Sequence, residues 1–106
     1  MIIEYYQTPS GRSPVVDYLR QLPLEERAQI DAVLEDIEIH GLTAPLVSMR
    51  QIDGKLWEIR IPPRSRIFYV VIERHRMILL HAYKKQGQKA PQREIETARR
   101  RMAEFF

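Results

Sequence analysis

The sequence has no cysteine. That excludes a disulfide scaffold, a thiol nucleophile and a thiolate metal site. Glycine is scarce, with four among 106 residues, and none lies in a phosphate-cradling run. Long apolar runs are missing too. A stretch such as Val70-Val71-Ile72 is far too short to cross a bilayer, so no membrane association is expected. The opening Met-Ile-Ile-Glu-Tyr-Tyr places no basic segment before an apolar one, which reads against a signal peptide and for a cytoplasmic protein. Of the three histidines, His40, His75 and His81, none stands at a metal-ligand spacing, so neither metal nor cofactor is expected. Ser10, Ser13, Ser48 and Ser65 lack the Gly-x-Ser-x-Gly context of a nucleophile elbow. The acids gather on a helical surface rather than in a hydrolytic pair.

What is present is a globular composition, 44% apolar and 29% charged, enough for a single domain over residues 1–106. The net charge of +3 conceals a split. Residues 1–53 carry 4 basic and 9 acidic side chains; residues 54–106 carry 13 basic and 5 acidic. Such a reversal predicts one basic region, suited to nucleic acid or to an acidic protein surface.

Ile and Tyr in residues 1–7 predict a strand, and Thr8-Pro9-Ser10-Gly11 a turn. Ser13-Pro14 supplies an N-cap and a first-turn proline for a short helix ending near residue 21. A second helix is expected over 24–40, with Ile30, Val33, Leu34 and Ile37 as its apolar stripe and Gly41 just past its end. So short a connection predicts an antiparallel helical hairpin. Strands follow at 47–52, 55–61, 66–73 and 77–83, with a hairpin turn at Asp53-Gly54. The nearly continuous apolar run in 66–73 predicts a central strand covered on both faces. A basic loop over 84–90 leads to a last helix opened by Pro91. The fold class is α+β, in the order β-α-α-β-β-β-β-α, with a curved antiparallel sheet and the helical hairpin packed on one side.

The remaining chemistry is cationic and aromatic. A two-residue turn through Arg74-His75 would set residue 68 against 81 and 66 against 83. Arg66, Phe68, His81 and Tyr83 would then share one face, with Arg60 on the strand before and Lys84 and Lys85 just beyond. Such a set suits RNA. Arginine holds phosphate and stabilises a pentacoordinate transition state. Tyrosine and lysine move protons where neighbouring cations lower their pKa values. Aromatic rings stack on splayed bases. On residues alone a second reading stands beside it: Arg60 and Arg66 pair with Glu58 and Glu73, and Tyr83 caps the core. The Arg99-Arg100-Arg101 triplet suggests general RNA attraction.

Four blocks carry a resemblance: Leu56-Trp57-Glu58-Ile59-Arg60-Ile61, Arg66-Ile67-Phe68-Tyr69, Leu79-Leu80-His81-Ala82-Tyr83-Lys84-Lys85, and Gln88-Lys89-Ala90-Pro91 with Glu94-Ile95 and Ala98. In this order and spacing the chain resembles the phage-derived toxins of the RelE/HigB group, within the RelE/ParE superfamily. The resemblance implies the toxin of a type II toxin–antitoxin pair, a metal-independent endoribonuclease that cleaves mRNA on the ribosome with the RNA 2′-OH as nucleophile. It also implies a helix-turn-helix antitoxin as partner. Arg60, Arg66, Tyr83 and Lys85 are the implied catalytic residues, and Lys55, His81, Lys84 and Lys89 the implied RNA contacts. Gln86 replaces the second lysine of the family's usual pair, with Lys84 expected to compensate, and Ala90 replaces its usual threonine. Related alternatives are a ParE-like gyrase inhibitor and a degenerate toxin that only binds its antitoxin.

Overall fold

The computed structural model describes residues 1–45, 47–87 and 91–106. The elements are β1 (Ile2–Tyr5), α1 (Pro14–Arg20), α2 (Leu24–His40), β2 (Ser48–Asp53), β3 (Leu56–Ile61), β4 (Ser65–Ile72), β5 (Arg76–Lys84) and α3 (Gln92–Met102), with short 3₁₀ turns at Gly41–Thr43 and Ala103–Phe105. Local chemistry sets the helix ends. The Ser13 hydroxyl accepts from the Val16 N–H at the start of α1, and Pro14 occupies its first turn. Gly41 ends α2 at φ 64°, where its N–H donates to the Ile37 carbonyl.

The five strands run in the order β1-β5-β4-β3-β2. From β2 to β5 the sheet is an antiparallel meander, as expected. β1 departs from that expectation, because it pairs with β5 in parallel. The connectivity explains this. The chain leaves β1, crosses one face through α1 and α2, enters the sheet at the far edge as β2 and meanders back until β5 meets β1.

Both faces are covered. Val15, Leu19, Ile30, Leu34 and Ile37 of the first two helices pack on Ile59, Ile61, Ile67, Tyr69, Met77 and Leu79. On the other face Ile95 and Ala98 of α3 pack on Leu56, Phe68, Val70, Ile78, Leu80 and Tyr83. Hence β4 is apolar on both sides.

The β4–β5 hairpin turns through three residues, not two: Ile72 faces Arg76, and Glu73 and Arg74 take positive φ angles of 55° and 68°. A register shift between Phe68 and Tyr69 leaves Leu80 unpaired. That extra residue offsets the longer turn, so Phe68 faces His81 and Arg66 faces Tyr83, the pairs expected from the sequence.

A cavity in this core is a direct test. Ile59 is fully buried between the sheet and the first two helices, whereas Leu24 is 81% exposed. In urea unfolding, Ile59→Ala is expected to lose about 2–5 kcal/mol, and Leu24→Ala less than about 0.5 kcal/mol.

Candidate functional site

Two cross-strand rows on the α3 face hold the sequence-predicted residues. Ser48, Arg60, Arg66 and Tyr83 lie side by side across β2, β3, β4 and β5; Arg50, Glu58, Phe68 and His81 form the row next to them. Strand alternation puts both rows on one face.

Glu58 sits at the centre, 1% exposed. Its carboxylate accepts from the Tyr83 hydroxyl at 3.0 Å and from Arg50 Nη2 at 3.3 Å. A buried carboxylate needs such partners, since an unpaired charge away from water is strongly unfavourable. Tyr83 is pushed well above its ordinary value, first by burial, then by the Glu58 charge and the hydrogen bond; Arg66 and Arg50 oppose this less strongly. The sequence-based expectation of a cation-lowered tyrosine is therefore reversed: Tyr83 keeps its proton and donates it to Glu58. Phe68 stacks on Tyr83 at 5.4 Å between centroids and on His81 at 6.4 Å, with interplanar angles of 23° and 6°.

Arg60 and Arg66 are cross-strand neighbours of like sign, an arrangement that costs stability unless an anion lies between them. Among the described residues neither has a carboxylate partner. Arg66 Nη1 donates to the Ser65 carbonyl at 2.9 Å, and its buried Nε has no hydrogen-bond partner among the described residues. The alternative pairing read from the sequence is absent. Arg50 and Tyr83 occupy Glu58, while Glu73 lies at the far end of β4 with Arg76 at 3.9 Å. Tyr83 does belong to the core, as that alternative had it.

The other predicted residues divide. The Lys85 N–H donates to the Arg64 carbonyl at 2.7 Å, extending the ladder by one residue, so alternation brings Lys85 to the Tyr83 face. Lys84 lies on the opposite face, its Nζ 3.8 Å from Glu26 of α2, and does not stand in for the lysine replaced by Gln86. Lys55 is in the β2–β3 turn, its Nζ 4.1 Å from the Phe106 ring centroid and about 16 Å along the strand from Arg60. His81 is covered by α3, with Nε2 3.3 Å from both Glu94 carboxylate oxygens and Nδ1 3.0 Å from Arg101 Nη1. Lys89 and the rest of Gln88-Lys89-Ala90 lie outside the described residues. No group of three His, Asp or Glu side chains gathers as a metal site among the described residues, and no helix is long and apolar enough to cross a membrane.

Two positions on this face escaped the sequence reading. Arg50 reaches Glu58 only because a register shift between Gln51 and Asp53 displaces the β2–β3 pairing; a regular Asp53-Gly54 turn would have faced Arg50 to Trp57. Arg101 is not a free RNA contact. It donates to the Leu80 carbonyl at 2.9 Å and braces His81. Its signal was available, because Ile95, Ala98 and Arg101 recur every three residues along α3.

Burial lowers the His81 pKa from the ordinary 6.5, outweighing Glu94. Below that value the unfolded chain takes up a proton that folded His81 resists. The stability His81 confers is thus complete above 6.5 and lost as the pH falls towards the folded-state value. Thermal melts from about pH 7.5 to pH 5.5 are expected to show a falling midpoint, with a shallower fall in His81→Gln.

No curated protein matches the chain. A family model does, over residues 17–103, with the description "Phage derived protein Gp49-like (DUF891)". The match runs from α1 through α3 and contains both cross-strand rows. The chain therefore belongs to the phage-derived Gp49-like family, which is associated with toxin–antitoxin systems.

Proposed function

We propose that the protein is the toxin of a type II toxin–antitoxin pair and that it cleaves mRNA on the ribosome in the manner of the RelE/HigB group. The observation that carries this reading is the Arg60–Arg66 pair, set side by side at one sheet end, without a carboxylate partner among the described residues and flanked by Tyr83 and Lys85. Two guanidiniums at cross-strand spacing suit the non-bridging oxygens of one phosphodiester, and their mutual repulsion is relieved when that anion binds.

The reaction needs no outside nucleophile. The substrate 2′-oxygen attacks phosphorus, the bond to the 5′-oxygen breaks, and a 2′,3′-cyclic phosphate and a 5′-hydroxyl result. Arg60 and Arg66 stabilise the charge on phosphorus oxygens in the transition state. A tyrosine with a raised pKa stays protonated, and its neutral hydroxyl is a weak base by itself. Tyr83 takes the 2′-hydroxyl proton while passing its own to Glu58, 3.0 Å away. Lys85 gives a proton to the departing 5′-oxygen. The partners are the ribosome with mRNA and a helix-turn-helix antitoxin in the cytoplasm.

One observation favours a second reading, a non-catalytic toxin of this fold such as a gyrase inhibitor. Gln86 replaces one lysine of the family pair and Lys84 faces away, leaving Lys85 as the one lysine at this sheet end among the described residues. Induction in a bacterium followed by mapping of mRNA 5′ ends separates the two. New ends within translated messages are expected; growth arrest with intact messages and DNA-damage signalling would favour the gyrase reading. Arg66→Ala is expected to remain folded and to lose cleavage by about 10²–10³-fold, the usual effect of removing one transition-state donor. Undiminished cleavage in that variant would refute its role.

A further inference from the structure

Among the described residues β2 is an edge strand, with β3 on one side and no strand on the other. Its outward backbone groups are a template for one more strand. A register shift guards its end near Asp53, but Ser48 to Gln51 pair regularly with β3 and leave that stretch of edge open.

The two faces of this edge differ in chemistry. On the α1–α2 side lies a groove of ≈ 430 Å³ lined by Leu42, Met49, Lys55, Trp57, Tyr69 and Val71. Its wall is largely apolar, and Trp57 is 37% exposed within it. On the α3 side lies a cleft of ≈ 310 Å³ lined by Arg50, Gln51, Ile52, Gln92, Ile95 and Arg99. Arg50 and Arg99 each pair with one carboxylate, Glu58 and Asp53, yet their side chains remain 47% and 46% exposed. A guanidinium has five N–H donors, so both retain donors for another anion.

A strand sends successive side chains to opposite faces. A segment added along β2 would direct every second residue over Met49 and Trp57, and the residues between them towards Arg50 and Arg99. A helix would use the groove and leave the backbone edge and the arginines unmet. A second copy of β2 would bring a second Arg50 to the arginine side, where like charge opposes it.

We propose that the β2 edge is a docking site for an extended segment of a partner protein in which apolar and acidic residues alternate. It is separate from the phosphate site proposed at Arg60 and Arg66 and does not depend on ribonuclease activity.

Selection of random linear peptides displayed on phage against the intact protein is a direct test. Enriched peptides are expected to alternate apolar and acidic residues and to slow amide hydrogen exchange in Ser48 to Gln51. Trp57→Ser and Arg99→Glu, each checked for native circular dichroism, are expected to weaken the best peptide at least about tenfold. The proposal is overturned if no peptide is enriched or if enriched peptides carry helical i, i+4 spacing. Unchanged β2 exchange would overturn it as well. Self-association of the protein that protects the same amides would assign the edge to a second copy and contradict the proposed partner.

Discussion

The buried Glu58 carboxylate is the constraint around which the α3 face is arranged. Buried beneath the sheet surface, it needs hydrogen-bond donors, and two reach it. Arg50 reaches it from β2 and Tyr83 from β5, two strands away. These contacts tie the meander together at one level. They also settle the electrostatics nearby. With Arg50 committed to Glu58 and Tyr83 holding its proton, Arg60 and Arg66 are left without a counter-ion among the described residues. Two adjacent arginines without a carboxylate partner among the described residues are the basis of the proposed anion site.

The sheet separates structural and chemical duties by face. The α1–α2 side is a hydrophobic layer whose buried members are almost wholly aliphatic. The α3 side combines packing with polar chemistry. α3 covers Phe68 and His81 through Ile95, Ala98, Glu94 and Arg101, and the row containing Arg60 and Arg66 remains partly open. The charge split of the sequence acquires a physical form. The basic half supplies β3, β4, β5 and α3, and its arginines perform different tasks. Arg101 braces the core and Arg99 pairs with Asp53. Arg60 and Arg66 carry the proposed chemistry.

Much of this was legible in the residues, for identifiable reasons. Ser13-Pro14, the Ile30-Val33-Leu34-Ile37 stripe and Gly41 are local signals, and α1 and α2 follow from them. The apolar run of β4 announced a strand buried on both faces. Long-range geometry was less visible. Nothing local to Met1–Gln7 states that β1 joins β5 in parallel, because that pairing depends on the path of two intervening helices. The pairs Arg66–Tyr83 and Phe68–His81 were anticipated from a two-residue turn, but they arise from a three-residue turn offset by the extra Leu80. Arg50 was missed for a similar reason, since an irregularity in β2 decides which residue faces Glu58. The direction of the Tyr83 shift was missed because counting nearby cations ignores burial and the hydrogen bond to Glu58.

On the proposed reading Arg60 and Arg66 form one anion site that no carboxylate of the described residues fills. Guanidinium NMR with a non-cleavable dinucleotide, its 2′-hydroxyl methylated, tests this most directly. Saturable shifts confined to Arg60 and Arg66, including the Arg66 Nε–H, are predicted, with Arg93 and Arg100 of α3 unmoved. Shifts spread evenly over the exposed arginines, or none at Arg66, would contradict the account.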